Sequence, residues 1–381
     1  MTAPRVFLVA AEPSGDAIAA DLIVALRAHN PDIVFAGMGG PKMAALGIES
    51  CTSIDGLSIL GLTEALGIWK LVRDKVRQVG IAVAVFQPDI VVLIDSWGFT
   101  VRAAQEIRRL VPNVPLVKMI GPQVFATRPG RAKSVAQNYD ALFCIHDFEV
   151  PFYDGLNIPI TVIGNPAVAR AKLGDGAAFV MRHSLQGRRL ALLLPGSRRA
   201  EIELVSPTFE AAATLLSQEF PDLTFVTVVA PAVDGLVNSR SLDWQFPHIL
   251  VDESEKEDAF KAADIALACS GTVTTEVALQ GTPMVVGYRL GAVTAFIMLN
   301  FMLKSRFVTL VNIALDQEIV PEFIQNKFTP DAVVAAASRL LTDPTAHARQ
   351  VALLDQALQK MGRDDPPMAE RAALTLLQML R

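Results

Sequence analysis

The chain has 381 residues, with 34 Lys and Arg against 39 Asp and Glu, and a net charge of −5 at pH 7. This acidic balance argues against a nucleic-acid-binding protein, which needs a basic face for phosphate contacts. The length exceeds what one hydrophobic core ordinarily serves, so about two domains are expected. Three widely separated cysteines, Cys51, Cys144 and Cys269, lack zinc-ligand spacing and predict neither disulfides nor a metal centre.

Apolar runs alternate with helical patterns along almost the whole chain. The predicted strands are residues 6–10, 33–36, 89–94, 115–119, 141–145 and 160–163 in the first half, and 190–194, 224–229, 249–251, 264–268 and 283–287 in the second. Runs such as 90–94 lack period-two alternation, which is typical of parallel strands covered on both faces. The pattern therefore predicts an α/β protein with two doubly wound, parallel-sheet (Rossmann-like) domains and a cleft between them.

The domain boundary is placed after Gly164-Asn165-Pro166, because glycines interrupt the pattern in the residues that follow. The predicted segments are an N-terminal domain over 1–166, a C-terminal domain over 167–345, and a group of C-terminal helices over 346–381. Those helices belong to no sheet of their own, so we expect them to pack on the N-terminal domain or on a partner subunit. A strand starts almost at the N-terminus with no charged leader before it, which indicates a cytoplasmic protein.

The most informative loop is Leu194-Pro195-Gly196-Ser197-Arg198-Arg199-Ala200-Glu201, which follows a strand and precedes a helix. Its glycine and serine allow a tight turn with free N–H groups, and Arg198 adds a guanidinium. This combination suits a diphosphate. An ordinary turn with a surface arginine fits the same residues.

Other polar loops also follow predicted strands, where ligands bind in open parallel sheets. They lie at residues 11–16, 37–41, 95–99 and 269–272, and Glu276 follows the last of them. Each has a second interpretation: Asp16 and Asp95 would also suit a helix dipole or a helix cap, and Glu276 would also suit a solvated helix surface. No nucleophile with a partnered base is evident, so covalent catalysis is not indicated.

With these motifs in order, the whole chain resembles the lipid-A-disaccharide synthase family, glycosyltransferases with the two-domain fold called GT-B. The segments that carry the resemblance are 12–16, 39–43, 61–66, 88–95, 148–153, 164–166, 194–201, 270–276, 283–289 and 312–325. One such motif would be weak, but their shared order along the chain makes chance similarity implausible.

The resemblance implies an inverting enzyme that transfers 2,3-diacylglucosamine from UDP to 2,3-diacylglucosamine 1-phosphate. The products are the β-1,6 lipid A disaccharide and UDP. Such chemistry needs a general base for the acceptor hydroxyl and stabilisation of the leaving diphosphate. It implies no cofactor and no metal. The expected partners are UDP-diacylglucosamine and diacylglucosamine 1-phosphate, with no nucleic acid.

The resemblance also implies roles for individual residues. Asp95 matches the family's essential aspartate and is the expected base, although a role in orienting the acceptor fits it too. Arg198 matches the arginine that neutralises the diphosphate, and Glu276 matches the residue that binds the ribose. The other donor-binding candidates are Ser270, Gly271, Thr272, Asn312, Glu322 and Gln325, and the acceptor-side candidates are Glu12, Ser14, Gly15 and Asp16.

The acceptor half departs from the family pattern. Where the family reads Asp-Ala-Pro-Asp-Phe-Asn, this chain has Asp95-Ser96-Trp97-Gly98-Phe99-Thr100, which loses a second acidic group and an amide. Two alternatives therefore stay open. One is a UDP-sugar 2-epimerase-like enzyme, which would need paired acid and base groups at the sugar. The other is a UDP-sugar-binding protein without transferase activity, which would bind UDP without turnover.

Apolar segments raise the mean hydropathy to +0.38. Residues 291–303 are nearly all apolar but too short to span a bilayer, which needs about 20 residues. Lys304 and Arg306 follow, as in an interfacial helix on anionic lipid, although a buried core helix fits as well. Residues 57–72 are a second candidate, as an acyl-chain entrance. These segments predict a peripheral membrane protein. The resemblance to the family implies the inner face of the inner membrane as its location and adds the expectation of a homodimer.

Overall fold

The computed structural model describes residues 3–57, 65–125, 128–169, 172–291 and 305–380, without the side chains of 65–68 and 169. The chain forms two compact units, Met1–Pro166 with Asp364–Arg381, and Ala167–Arg363. The C-terminal segment predicted over 346–381 is divided between these units: its first helix belongs to the second unit and its last helix to the first.

The strands follow the apolar runs of the sequence. In chain order they are β1 (Arg5–Ala10), β2 (Val34–Met38), β3 (Ile90–Ile94), β4 (Leu116–Met119), β5 (Ala141–Cys144), β6 (Ile160–Val162), β7 (Arg189–Leu194), β8 (Leu223–Val229), β9 (His248–Asp252), β10 (Ile265–Cys269), β11 (Met284–Tyr288) and β12 (Glu322–Ile324). The predicted strands are all present within one or two residues. The three-residue strand β12 was missed, because so short a segment shows no periodicity.

The helices connect the strands and cover both faces of each sheet. They are α1 (Pro13–His29), α2 (Pro41–Ala45), α3 (Ala65–Phe86), α4 (Trp97–Leu110), α5 (Arg131–Asn138), α6 (Pro166–Ala169), α7 (Gly176–Arg182), α8 (Arg199–Glu219), α9 (Asp234–Ser241), α10 (Lys256–Ala262), α11 (Thr272–Leu279), α12 (Leu310–Leu315), α13 (Pro330–Thr342), α14 (Pro344–Lys360) and α15 (Met368–Met379). Short 3-10 helices include Asp147–Tyr153 and Gln325–Lys327.

The first unit contains a six-stranded sheet in the order β2-β1-β3-β4-β5-β6, and its strand pairs are parallel. All side chains of β3 are buried. Successive side chains point to opposite faces of the sheet and pack in two separate hydrophobic cores. Val91 and Leu93 pack in the layer that includes residues of α3 and α4, whereas Val92 packs with residues of α1 and α15. This explains the absence of polar alternation in the strand. The strand order reverses between β1 and β3, which marks the ligand-binding edge of such sheets.

The second unit repeats this architecture with the strand order β12-β11-β10-β7-β8-β9, again in parallel pairs. Its strand order reverses between β7 and β10. The prediction of two doubly wound α/β units is therefore confirmed. The polar loops after β7 and after β10 lie side by side at this reversal.

Among the described helices, none has both the length and the apolar composition that crossing a bilayer requires. The apolar segment predicted to lie at a membrane, 291–303, falls outside the described residues except for Gly291, and so does Lys304. Residues 58–64 of the second candidate segment also fall outside them.

Candidate functional site

A pocket of about 320 Å³ opens at the strand-order reversal of the second unit. A volume of this size falls at the lower end of the range for small-molecule sites. Its lining residues come chiefly from the loops after β7 and β10 and from the helices that these loops open: Gly196, Ser197, Arg198, Glu201, Lys256, Ser270, Gly271, Thr272, Val273, Glu276 and Tyr288, among others. The structure thus brings Arg198 together with four donor-side candidates of a distant segment, Ser270, Gly271, Thr272 and Glu276.

The loop after β7 is closed by a carboxylate of its own helix. Glu201 accepts hydrogen bonds from the N–H groups of Ser197 and Arg198, at 3.0 and 3.3 Å. Its other oxygen lies 3.0 Å from the guanidinium of Arg198. Gly196 has φ +125°, and a Cβ there would lie 2.5 Å from the Cβ of Glu201, so both the backbone and the space favour glycine.

The expectation that this loop presents free N–H groups therefore needs correction, because Glu201 occupies those of Ser197 and Arg198. A diphosphate at this loop would compete with the Glu201 carboxylate for the same donors. The Arg198 side chain nevertheless remains 80% exposed, so most of its donors are accessible to a ligand.

The N-terminus of α11 faces the same pocket. Its cap residue, Gly271, has no side chain to satisfy the first N–H groups of the helix, and Gly271 and Thr272 are exposed. The uncapped amides and the helix dipole give this end of the pocket a partial positive charge. Together with Arg198, they form a setting that favours an anionic group.

Glu276 lies one turn into α11 and lines the pocket. Its carboxylate is 3.1 Å from the Nζ of Lys256, the first residue of α10. The pairing anchors a carboxylate that is otherwise about one-third exposed. Glu276 can accept hydrogen bonds from vicinal hydroxyls such as those of a ribose, while Lys256 adds a second cation to the pocket wall.

The side chains of Asn312 and Glu322 form hydrogen bonds that stabilise the fold of the second unit. Asn312 is fully buried; its amide donates to the carbonyl of Val320 and to Glu322, and its oxygen accepts from the N–H groups of Ile319 and Val320. Both oxygens of Glu322 accept hydrogen bonds, from the N–H groups of Val308 and Thr309 and from the Thr309 hydroxyl. The pair ties the segment around α12 to β12.

Gln325 differs from these two residues. It follows β12 with a left-handed φ of +55°, and its Nε2 is buried without a hydrogen-bond partner among the described residues. A strained backbone together with an unsatisfied donor is a common signature of a functional position. None of Asn312, Glu322 and Gln325 is among the residues that line the pocket at the β7 and β10 loops.

A second pocket, of about 360 Å³, lies at the strand-order reversal of the first unit. It is lined mainly by apolar and aromatic side chains: Ala11, Glu12, Leu57, Trp69, Val72, Ser96, Trp97, Gly98, Phe99 and Arg102. The guanidinium of Arg102 lies 4.7 Å from the centre of the Trp69 ring, within cation–π distance. An apolar pocket with a cation at its rim suits a ligand that carries both hydrocarbon and negative charge.

Asp95 follows β3 at this edge and takes an unusual backbone conformation. Asp95 and Ser96 have φ values of +46° and +39°, a left-handed pair without glycine. The helix cap is Ser96 rather than Asp95, and neither side chain caps α4. The hydrogen bonds of Asp95 to other described residues are made by its main chain, which leaves the carboxylate oxygens available to a ligand.

The other acceptor-side candidates have different environments. Asp16 is buried, and its carboxylate accepts from the N–H groups of Gly40, Lys42 and Met43 at 2.8, 2.8 and 3.1 Å. It therefore caps α2, not the helix that contains it, and leaves no room for a side chain at Gly40. Gly15 is buried near the sheet, Ser14 is exposed, and Glu12, at the start of α1, lines the pocket.

Sequence reasoning missed three groups near these sites. Glu201 and Lys256 are charged partners inside the second unit's pocket, and nothing in the local pattern distinguishes them from surface residues. Lys118 is fully buried in β4. Its signal was present in the sequence, as a lysine inside an otherwise apolar strand. Across the described residues, His, Cys, Asp and Glu side chains form no group of three that could hold a metal ion.

Comparison with known proteins gives a consistent result along the chain. A family model described as lipid-A-disaccharide synthetase matches residues 6–376. A lipid-A-disaccharide synthase of Rhodospirillum centenum is 38% identical over 379 residues, covering 98% of this chain and 94% of that protein. One of Paramagnetospirillum magneticum is 36% identical over 380 residues, covering 99% and 97%.

Solved structures share the fold at low sequence identity. The S. aureus MnaA structure with UDP has a TM-score of 0.63 at 13% identity, covering 98% of this chain and 96% of that one. Acinetobacter baumannii MurG has a TM-score of 0.58 at 14% identity, covering 98% and 99%. These similarities concern the fold alone.

Proposed function

The chain belongs to the lipid-A-disaccharide synthetase family, and from this membership we propose which of its residues bind the donor and which act on the acceptor. The enzyme is a glycosyltransferase that moves 2,3-diacylglucosamine from UDP to 2,3-diacylglucosamine 1-phosphate. The products are the β-1,6-linked lipid A disaccharide and UDP. The observation that carries the residue assignments is the pocket where the β7 and β10 loops meet at the strand-order reversal.

The proposed donor site is this pocket. The diphosphate would lie at the exposed guanidinium of Arg198 and the uncapped amides at Gly271 and Thr272, beside Ser270, and the ribose hydroxyls at Glu276. As the glycosidic bond breaks, negative charge develops on the leaving diphosphate. Fixed N–H dipoles and a guanidinium stabilise this charge without needing to reorganise during the reaction. Gln325 is retained as a donor-side candidate, while Asn312 and Glu322 hold the segment that precedes it.

The proposed acceptor site is the apolar pocket of the first unit. Acyl chains would contact Leu57, Trp69 and Trp97, and the acceptor phosphate would lie near Arg102 at the rim. Asp95, at the same sheet edge, is the proposed general base that removes the proton of the attacking hydroxyl. Its hydrogen bonds to other described residues are made by its main chain, which leaves the carboxylate available for this role. Glu12 lines the pocket, whereas the Asp16 carboxylate caps α2.

We propose peripheral association with the inner face of the inner membrane, because both proposed substrates carry acyl chains. Supporting this, Trp69 and Leu71 are exposed at the start of α3, beside exposed Lys70 and Arg73. Apolar residues flanked by cations suit the interface of an anionic bilayer. A homodimer through C-terminal elements is a further expectation, compatible with exposed Leu374 on α15 and measurable by light scattering.

The test is a product assay with the full chain. Purified protein, UDP-diacylglucosamine and diacylglucosamine 1-phosphate should yield disaccharide and UDP in equal amounts. Asp95→Asn should lower kcat by about 10² to 10⁴, the usual contribution of a positioned base, with UDP affinity unchanged. UDP release without disaccharide, or epimerised donor, would contradict the transferase assignment. An Asp95→Asn enzyme with wild-type turnover would remove Asp95 from the mechanism.

A further inference from the structure

Lys118 occupies a buried position, where a charged side chain is destabilising unless it has polar partners. It lies in β4, which pairs directly with β3. It shares a sheet face with Leu116, which packs in the same apolar core as residues of α4. Its side chain is completely buried. Removing an ammonium from water costs several kcal/mol unless polar partners compensate. Burial accordingly lowers the pKa of Lys118 to about 7. An apolar residue would continue the strand without this cost.

The partners of the ammonium lie between the end of β3 and the first turn of α4, on both sides of Asp95. Lys118 Nζ donates to the main-chain carbonyl of Asp95, and it lies 3.1 Å from the hydroxyl of Thr100 and 3.4 Å from the carbonyl of Leu93. The Thr100 hydroxyl uses its own hydrogen toward the carbonyls of Asp95 and Ser96, so it accepts from Lys118. All three donors of the ammonium are thereby directed at residues 93–100.

This turn requires such support. Two successive non-glycine residues in left-handed conformation each cost about 1 to 3 kcal/mol and persist only when their surroundings impose them. The N–H of Asp95 donates to Met119, the residue after Lys118, at 2.9 Å. The Asp95 carbonyl accepts from Lys118 itself. Both polar groups of the Asp95 main chain are thus held by β4. The main chain in turn fixes the direction in which the Asp95 side chain projects from the backbone.

We propose that Lys118 is a positioning residue for the transfer reaction: its buried ammonium holds the strained turn that directs the Asp95 carboxylate at the acceptor hydroxyl. This inference rests on the proposed role of Asp95. It also involves charge, because the Asp95 carboxylate favours the protonated form of Lys118 and opposes the effect of burial on its pKa. The two residues therefore form one unit, coupled through the main chain and through charge.

The kinetic test replaces Lys118 by Met, which keeps the length of the side chain and removes its donors. We expect Lys118→Met to lower kcat by roughly 10²-fold, since small misplacements of a catalytic group cost about that much. The KM for the UDP-sugar and the affinity for UDP should change less than about twofold. Lys133→Met, an exposed lysine on α5, is the matched control and should behave as wild type. A kcat within threefold of wild type, or a parallel rise in donor KM, would overturn the proposal.

A double variant tests whether Lys118 acts through Asp95. If it does, Lys118→Met combined with Asp95→Asn should be no slower than Asp95→Asn alone, because residues that act as a unit are strongly non-additive. Rate losses that multiply would instead mean that the two residues act separately.

A measurement without any Lys118 variant covers the case in which Lys118→Met fails to fold. The pKa of Lys118, followed by NMR of its labelled ε-carbon, should be lower in Asp95→Asn than in the wild type, and an unchanged value would refute the coupling. This result needs no turnover. A protein that shows the pKa difference but makes no disaccharide would refute the proposed function and not the coupling.

Discussion

Arg198 is the residue that tests the donor site most directly. Arg198→Ala removes a charge-assisted contact to the diphosphate and also removes the guanidinium partner of the Glu201 carboxylate. Because such contacts contribute about 1.5 to 3 kcal/mol, UDP affinity should fall by about 10- to 150-fold, as measured by calorimetry. Arg199→Ala is the matched control, since Arg199 is similarly exposed and pairs with Glu203 instead. If both variants bound UDP equally well, the loop after β7 would be a structural turn that does not bind the diphosphate.

Glu149 is a buried carboxyl whose titration should be visible in stability. It accepts from the N–H groups of His146 and Ile145, at 2.9 and 3.2 Å, yet burial raises its pKa from 4.5 to about 7. The folded protein therefore binds more protons than the unfolded chain between these values. The stabilising effect of Glu149 is complete below pH 4.5 and is lost as the pH rises through 7.

Glu149→Gln keeps the accepting oxygen and removes this titration. Relative to wild type, the variant should gain about 2 kcal/mol in unfolding free energy between pH 5 and pH 8, measured by urea denaturation. Burial lowers the pKa of nearby His146 to about 4, an effect of opposite sign, but His146 is present in both proteins and cancels in the difference. A stability difference that stays constant with pH would show that Glu149 is ionised throughout.

At the scale of an element, the start of α3 tests the membrane proposal. Trp69 is 57% exposed and Leu71 is 37% exposed, so replacing both by Ser should leave the melting temperature close to wild type. If this turn inserts into the bilayer interface, binding to vesicles of anionic lipid should fall by roughly tenfold or more, because buried aromatic area is lost. Leu242→Ser, at an 84% exposed position of the second unit, is the control for a generic loss of apolar surface. If the double variant floats with the vesicles as well as the wild type and the control do, α3 is ruled out as the membrane contact.

At the scale of the whole molecule, ligand response should separate the two units. The proposed donor pocket is built from residues of the second unit, whereas Asp95 and the apolar pocket belong to the first. UDP should therefore protect amides most strongly around the β7 loop and the start of α11 in hydrogen exchange. Asp95→Asn should keep this protection and Arg198→Ala should lose most of it. If protection were strongest at residues 95–100, the nucleotide would bind to the first unit, contrary to the proposal.

The sequence by itself determined the two-sheet architecture and the loops that matter. A fully apolar run such as β3 is typical of a strand covered on both faces, and the polar loops after such strands indicate the sheet edge at which ligands bind. The order of the motifs along the chain also indicated the family. These features depend on local pattern, which the chain displays directly. What the pattern left out were segments without periodicity, such as β12.

The roles of individual charged groups were decided by the tertiary structure. In sequence, Asp16 and Asp95 are alike, each an aspartate in a polar stretch after a strand. In the fold, Asp16 caps α2 with both carboxylate oxygens, whereas Asp95 makes its hydrogen bonds to other described residues through its main chain. Glu201 closing its own loop and Lys118 holding the Asp95 turn are equally invisible beforehand. The reason is physical: a buried polar group must find a partner wherever the fold brings one, and for Asp16 and Lys118 that partner lies about 20 residues or more away along the chain.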